Sequence, residues 1–182
     1  MLATNGFVDT KQFDVEVEPG FTSLFNGEDL SGWQGDDRFW SVHNGTIRGA
    51  NEGEVPSSSY LFTDEAYRNF RLVLNVKQIM SEKHGTMHSA VAVLGERFED
   101  KGPNPFGFKG PLLMFCHDWG IWDAYRRNRI EPANHRGTLN TSAENKGDWN
   151  QIEFLVIGNR IRCAVNGQQV FDFTDKPEML QP

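Results

Sequence analysis

A chain of 182 residues fits one domain and holds two only with difficulty. Its formal net charge of −7 gives no basic footprint for nucleic acid, although a local cationic pocket stays compatible with it. No apolar run is long enough to span a bilayer, and the opening residues 1–6 lack the charged segment and apolar core of a signal peptide.

Hydrophobic residues make up 38% of the chain, enough for a real core, and fourteen Phe and five Trp against three Tyr suit the space between two sheets. Eighteen Gly and eight Pro imply frequent turns, which favours an all-β fold over a helical one. In chain order, Phe13-Asp14-Val15-Glu16-Val17 alternates as a strand and ends at Pro19-Gly20. A second short run, Phe21 to Phe25, ends at Asn26-Gly27. Trp40 to Val42 and Thr46 to Arg48 flank Asn44-Gly45, whose tolerance of positive φ predicts a tight hairpin. Asp64 to Tyr67 has room for one helical turn. Arg71 to Val76 and Ala90 to Leu94 read as strands with a polar loop between them. Glu96 to Pro111 and Arg126 to Lys146 are rich in Gly, Pro, Asn and charge, and read as long loops.

The stretch from Trp149 to Phe173 is the clearest. Strands are expected over 151–157, 160–165 and 168–173, joined at Gly158-Asn159 and Asn166-Gly167 as a meander. In the first, Ile152, Phe154 and Val156 occupy one side and Leu155 and Ile157 the other, as expected of a strand inside a sandwich. Cys116 and Cys163 each lie in an apolar run and read as small buried hydrophobes. The fold class is therefore all-β, a two-sheet antiparallel sandwich.

Several blocks match a known family in order from about residue 20 to 175. Gly20-Phe21-Thr22-Ser23-Leu24-Phe25-Asn26-Gly27-Glu28-Asp29-Leu30-Ser31-Gly32-Trp33 resembles the opening signature of the 3-keto-disaccharide hydrolase family. Trp40 to Ile47, Tyr67 to Leu72, Gly147 to Glu153 and Val165 to Val170 are similar to its later blocks. The resemblance implies a concanavalin A-like jelly roll over residues 20–182, behind an N-terminal extension, 1–19, that carries one strand. Trp33, Trp40 and Trp149 are sized to plug its core. The resemblance also implies a periplasmic or secreted protein whose signal has been removed.

Three departures from the family pattern stand out. The family's Asn-Ser-Gly strand corresponds here to His88 through Leu94, with Leu94 at its arginine position. Its Tyr-Glu-x-Gln strand corresponds to Gly110 through Cys116, with Leu112 and Met114 where the polar pair would stand. Its closing strand block is not found before Pro182, so the domain is expected to lack that block or to take a strand from a partner copy.

Candidate chemistry concentrates in Cys116 to Arg129. Sugar sites use aromatic platforms for ring faces and carboxylates, amides and arginines for hydroxyls. Trp119, Trp122 and Tyr125 supply the first; Asp123 and Arg127, with Arg97 from the preceding region, supply the second. The plainer alternative makes both Trp residues core and the charges, Arg126 and Arg129 included, solvated. The family's reaction, as the resemblance implies, acts on a glycoside oxidised at C3, whose ketone acidifies the C2 proton. It needs a base, here Asp118 or His117, and a group that stabilises the enolate, here His88 or Arg97. A divalent metal held by His88, His117 and a carboxylate is an optional addition, although the five histidines show no metal-ligand spacing. The expected partner is a carbohydrate, a 3-keto-glycoside or oligosaccharide. Two alternatives accompany this enzymatic reading: a non-catalytic carbohydrate-binding or structural sandwich, and a homo-oligomer that exchanges strands.

Overall fold

The computed structural model describes residues 20–51, 53, 57–79, 89–98, 105–115, 120–123, 128–131, 143–145 and 147–174. The strand expected at 13–17 lies outside them. The described residues fall into two compact units, one drawn from 15–67 and 95–109, the other from 68–94 and 110–182. They contain no α-helix and no helix long and apolar enough to cross a membrane.

The first unit holds three antiparallel two-stranded ladders. Strand β2 (Trp40–His43) pairs with β3 (Thr46–Gly49) across Asn44 (φ 49°) and Gly45 (φ 70°), the hairpin foreseen from the dipeptide. Strand β1 (Trp33–Gln34) pairs with β4 (Phe62–Thr63), and β7 (Glu96–Phe98) with β8 (Gly107–Lys109). The run Phe21 to Phe25 forms no ladder. It is anchored instead by Trp33, whose Nε1 donates to the Leu24 carbonyl at 2.7 Å. Asp64 to Tyr67 bends without a helical turn, and Thr63 Oγ1 donates to the Glu65 carbonyl at 2.8 Å.

The second unit is the sandwich. One sheet has the order β14 (Gln168–Thr174), β13 (Arg160–Val165), β12 (Asn150–Ile157), β5 (Phe70–Val76). The other runs β11 (Asn128–Glu131), β10 (Gly120–Asp123), β9 (Pro111–Phe115), β6 (Ser89–Ala92). Every pairing is antiparallel. Ile152, Phe154 and Val156 are fully buried, opposite Leu74, Leu72 and Phe70 on β5 and Val165, Cys163 and Ile161 on β13. Val91 of β6 packs against this cluster, which joins the two sheets through one apolar layer. Burial pushes the Cys163 thiol well up, as suits a small hydrophobe inside that layer.

The turn from β13 to β14 shows how a single residue fixes register. Asn166 sits at φ 47°, and its Oδ1 accepts from the Gln151 amide N–H at 2.9 Å. Its Nδ2 donates to the Ala143 carbonyl at 2.6 Å and to Asn150 Oδ1 at 2.9 Å. Alanine at 166 keeps neither the tolerance of positive φ nor these bonds. Asn166→Ala is expected to lower stability by about 2–3 kcal/mol, read as a shifted urea midpoint. A loss below about 0.5 kcal/mol would show that the network does not hold this turn.

Two sequence expectations need correction. The stretch 96–111 is not one loop, because β7 and β8 lie within it and β9 begins at its end; β11 likewise lies inside 126–146. Trp149 is 39% exposed rather than a core plug, and Trp40 is half-buried, its ring so close to Gly49 that a Cβ there would lie 2.9 Å from it.

Candidate functional site

Of the residues singled out by sequence, Trp122 and Asp123 lie on β10. Trp122 stands opposite Leu112 on β9 and Arg129 on β11, and Asp123 opposite Pro111 and Asn128. Ladder partners share a face of the sheet and neighbours alternate. The row Ala92–Leu112–Trp122–Arg129 therefore alternates with the row of Val91 and Leu113, and Val91 packs on the core. Two members of the sequence cluster, Trp122 and Arg129, thus share one row with the Leu112 position.

His88, His117, Asp118, Trp119, Tyr125 and Arg127 lie outside the described residues. Among the described residues, Ser89 pairs with Phe115, and Gly120 with Met114. Arg97 lies on β7, in the other compact unit. Its Nε donates to the Pro105 carbonyl at 2.7 Å and its Nη1 to Gln34 Oε1 at 3.1 Å, and its guanidinium lies 4.3 Å from the Phe106 ring centre. Gln34 in turn donates to Asp64 Oδ1 at 2.7 Å. Much of the guanidinium is thereby committed to local structure. Among the described residues, no three or more His, Cys, Asp and Glu gather as a metal site.

The structure adds a polar face that sequence reasoning missed. The second side of β12 is not closed by Leu155 and Ile157; Leu155 is half-buried and Ile157 is 48% exposed. The residues buried there are Gln151 and Glu153, at 1% and 3% exposure. Arg71 reaches over from β5, and its Nε donates to Glu153 Oε1 at 2.5 Å in a largely buried ion pair. Further across the sheet, Arg162 Nη2 donates to Gln169 Oε1 at 3.0 Å, and Arg160 grips Asp172 through two bonds of 2.7 and 2.5 Å. That grip holds the Asp172 carboxyl below the usual range. The side-chain amide of Gln151 differs from all of these, because neither its Nε2 nor its Oε1 has a hydrogen-bond partner. An unmet buried polar group costs about 1–3 kcal/mol. The only sequence signal for this face was the alternation Gln151-x-Glu153 within an apolar run.

An antiparallel sandwich with aromatic and charged residues at one register position and a polar face on the other sheet suits a jelly-roll carbohydrate protein. The profile of the 3-keto-α-glucoside-1,2-lyase-like domain matches residues 20–181, and the chain belongs to that carbohydrate-active family. Among solved structures, a candidate glycosyl hydrolase from Parabacteroides distasonis ATCC 8503 superposes with a TM-score of 0.55 at 23% identity. The superposition covers 87% of this chain and 74% of that one, and it bears on the fold. A search of curated protein sequences gave no match.

Proposed function

We propose that the protein cleaves 3-keto-glucosides by elimination, through a sandwich domain over residues 20–182 that follows an extension of residues 1–19. The observation that carries this reading is the family match across residues 20–181. A base takes the C2 proton, and the C2–H electron pair becomes the C2=C3 bond of an enolate whose charge rests on the C3 oxygen. As the C3 ketone re-forms, that pair shifts to make the C1=C2 bond and the C1–O bond breaks, the glycosidic oxygen leaving with a proton. Water addition to the resulting enone gives the free 3-keto sugar.

Asp118 or His117 takes the part of the base. His88 is favoured over Arg97 as the enolate partner, because the Arg97 guanidinium is engaged by Pro105, Gln34 and Phe106. Trp119, Trp122 and Tyr125 offer stacking faces, and Asp123 and Arg127 offer hydroxyl contacts. A divalent metal held by His88 and His117 would supply further enolate stabilisation, and no step above is routed through it.

A second reading, a binding module without turnover, is favoured by the apolar pair Leu112 and Met114 where the family's polar residues stand. The test is product formation from methyl 3-keto-α-glucoside beside methyl α-glucoside, with and without added divalent metal. Cleavage confined to the keto sugar, and lost by at least roughly a hundredfold in Asp118→Ala or His117→Ala, is the expected result. Binding without cleavage under every condition supports the module instead.

A further inference from the structure

Three exposed side chains of the first unit are held in one line. The Arg97 guanidinium lies 4.3 Å from the Phe106 ring centre, and its Nε donates to the Pro105 carbonyl at 2.7 Å. Its Nη1 donates to Gln34 Oε1 at 3.1 Å, and Gln34 Nε2 donates to Asp64 Oδ1 at 2.7 Å. An aromatic layer ties the strands that carry them. Phe108 and Phe62, the ladder partners of Arg97 and Gln34, have ring centres 6.4 Å apart, and each packs on Tyr60. The Tyr60 amide N–H in turn donates to the Phe106 carbonyl at 3.0 Å. Exposed polar contacts contribute little to stability and restrain long side chains, so folding alone gives weak reason to keep three of them aligned.

The line keeps bonding capacity in reserve. Arg97, Gln34 and Asp64 are all exposed, and their side chains have no further partner among the described residues. Arg97 Nη2 and the second N–H of Gln34 Nε2 are therefore open donors, and Asp64 Oδ2 is an open acceptor. The bonds already made hold the guanidinium and the amide in place, so little side-chain freedom remains to be lost on binding. A ligand that satisfies the line must accept at one end and donate at the other. A carboxylate cannot donate to Asp64 and would set its charge against it, and an ammonium group would meet Arg97. Neighbouring hydroxyls, each both donor and acceptor, fit both ends without charge. We propose that Arg97, Gln34 and Asp64 form a binding site for the vicinal hydroxyls of a neutral sugar. These residues belong to one compact unit and Trp122 to the other. The site rests on the carbohydrate reading above, and its residues take no part in the elimination step.

The test is an NMR titration of the full-length protein with methyl α-glucoside, read at the side-chain amide of Gln34. That signal is assigned as the one missing from Gln34→Met. It is expected to shift saturably with the sugar and to stay in place with sodium acetate. Asp64→Asn keeps an acceptor for Gln34 but turns the open oxygen into a donor, and Arg97→Lys keeps the charge but loses the fork. Both variants are expected to fold as the parent does and to bind the sugar here at least roughly tenfold more weakly. No saturable shift in the parent, unchanged affinity in both variants, or tighter binding of acetate than of sugar would overturn the proposal. Unfolding of both variants would overturn it as well, because it would make the line structural. If methyl 3-keto-α-glucoside is cleaved while the Gln34 amide ignores the sugar, this site falls and the elimination reading stands. If the amide responds as expected but no keto sugar is cleaved, the site stands and that reading falls.

Discussion

Replacing Phe154 by alanine is expected to lower the free energy of unfolding by about 4 kcal/mol. Phe154 is fully buried at the centre of the sheet, between Leu72 on β5 and Cys163 on β13. Its neighbours along the strand, Ile152 and Val156, are equally sealed, and Val91 closes the layer from the other sheet. The substitution removes the transfer energy of the ring and leaves a cavity that two hydrogen-bonded strands cannot collapse to fill. Domains of this size are stable by only about 5–15 kcal/mol, so a large part of the total disappears. Phe154→Leu keeps most of the volume and should cost about 1–1.5 kcal/mol. Urea midpoints at unchanged slope measure both; a loss under about 1 kcal/mol for the alanine variant would place the core elsewhere.

Arg71→Met is expected to cost about 3–5 kcal/mol, although it removes no core side chain. The loss comes from the partner left behind, since the Glu153 carboxylate is 3% exposed and Arg71 is its hydrogen-bonded counter-ion. Methionine replaces the apolar stem of arginine but not its charge, so the buried carboxylate loses the cation that donates to it at 2.5 Å. Arg71→Met/Glu153→Leu, which replaces both charges, should recover most of the loss, because a well-packed apolar pair can match a buried ion pair. A double-mutant cycle read by denaturation supplies the coupling. If the double variant is no more stable than Arg71→Met, the charge pair is not the source of the effect.

These two sites mark where the sequence was legible and where it was not. Ile152, Phe154 and Val156 announce their burial through period-2 alternation, and Asn44-Gly45 and Asn166-Gly167 announce their turns because few other residues adopt their φ values. The three-stranded meander follows from those two facts. The polar side of β12 does not, because what buries Glu153 is a charge on a strand 82 positions earlier in the chain. Nothing local distinguishes a glutamate that will meet an arginine from one that will meet water. The ladder between β7 and β8 was hidden for a related reason. Its strands are three residues each within a Gly- and Pro-rich stretch, and their order comes from packing. A Cβ at Gly95 would lie 2.3 Å from the Phe108 ring, so the glycine just before β7 permits a close approach. In the candidate site, the ladder brings Trp122 and Arg129 into one row with Leu112, while Arg97 belongs to the other compact unit.

The most direct test of elimination chemistry is the fate of the C2 hydrogen when methyl 3-keto-α-glucoside is incubated with the protein in deuterium oxide and followed by NMR. The account predicts release of methanol together with loss of the C2 proton, seen as the enone or as 3-keto sugar deuterated at C2, faster than in a protein-free control. Release of methanol with the C2 proton retained would contradict it and indicate direct hydrolysis, and an intact glycoside would contradict the enzymatic reading altogether.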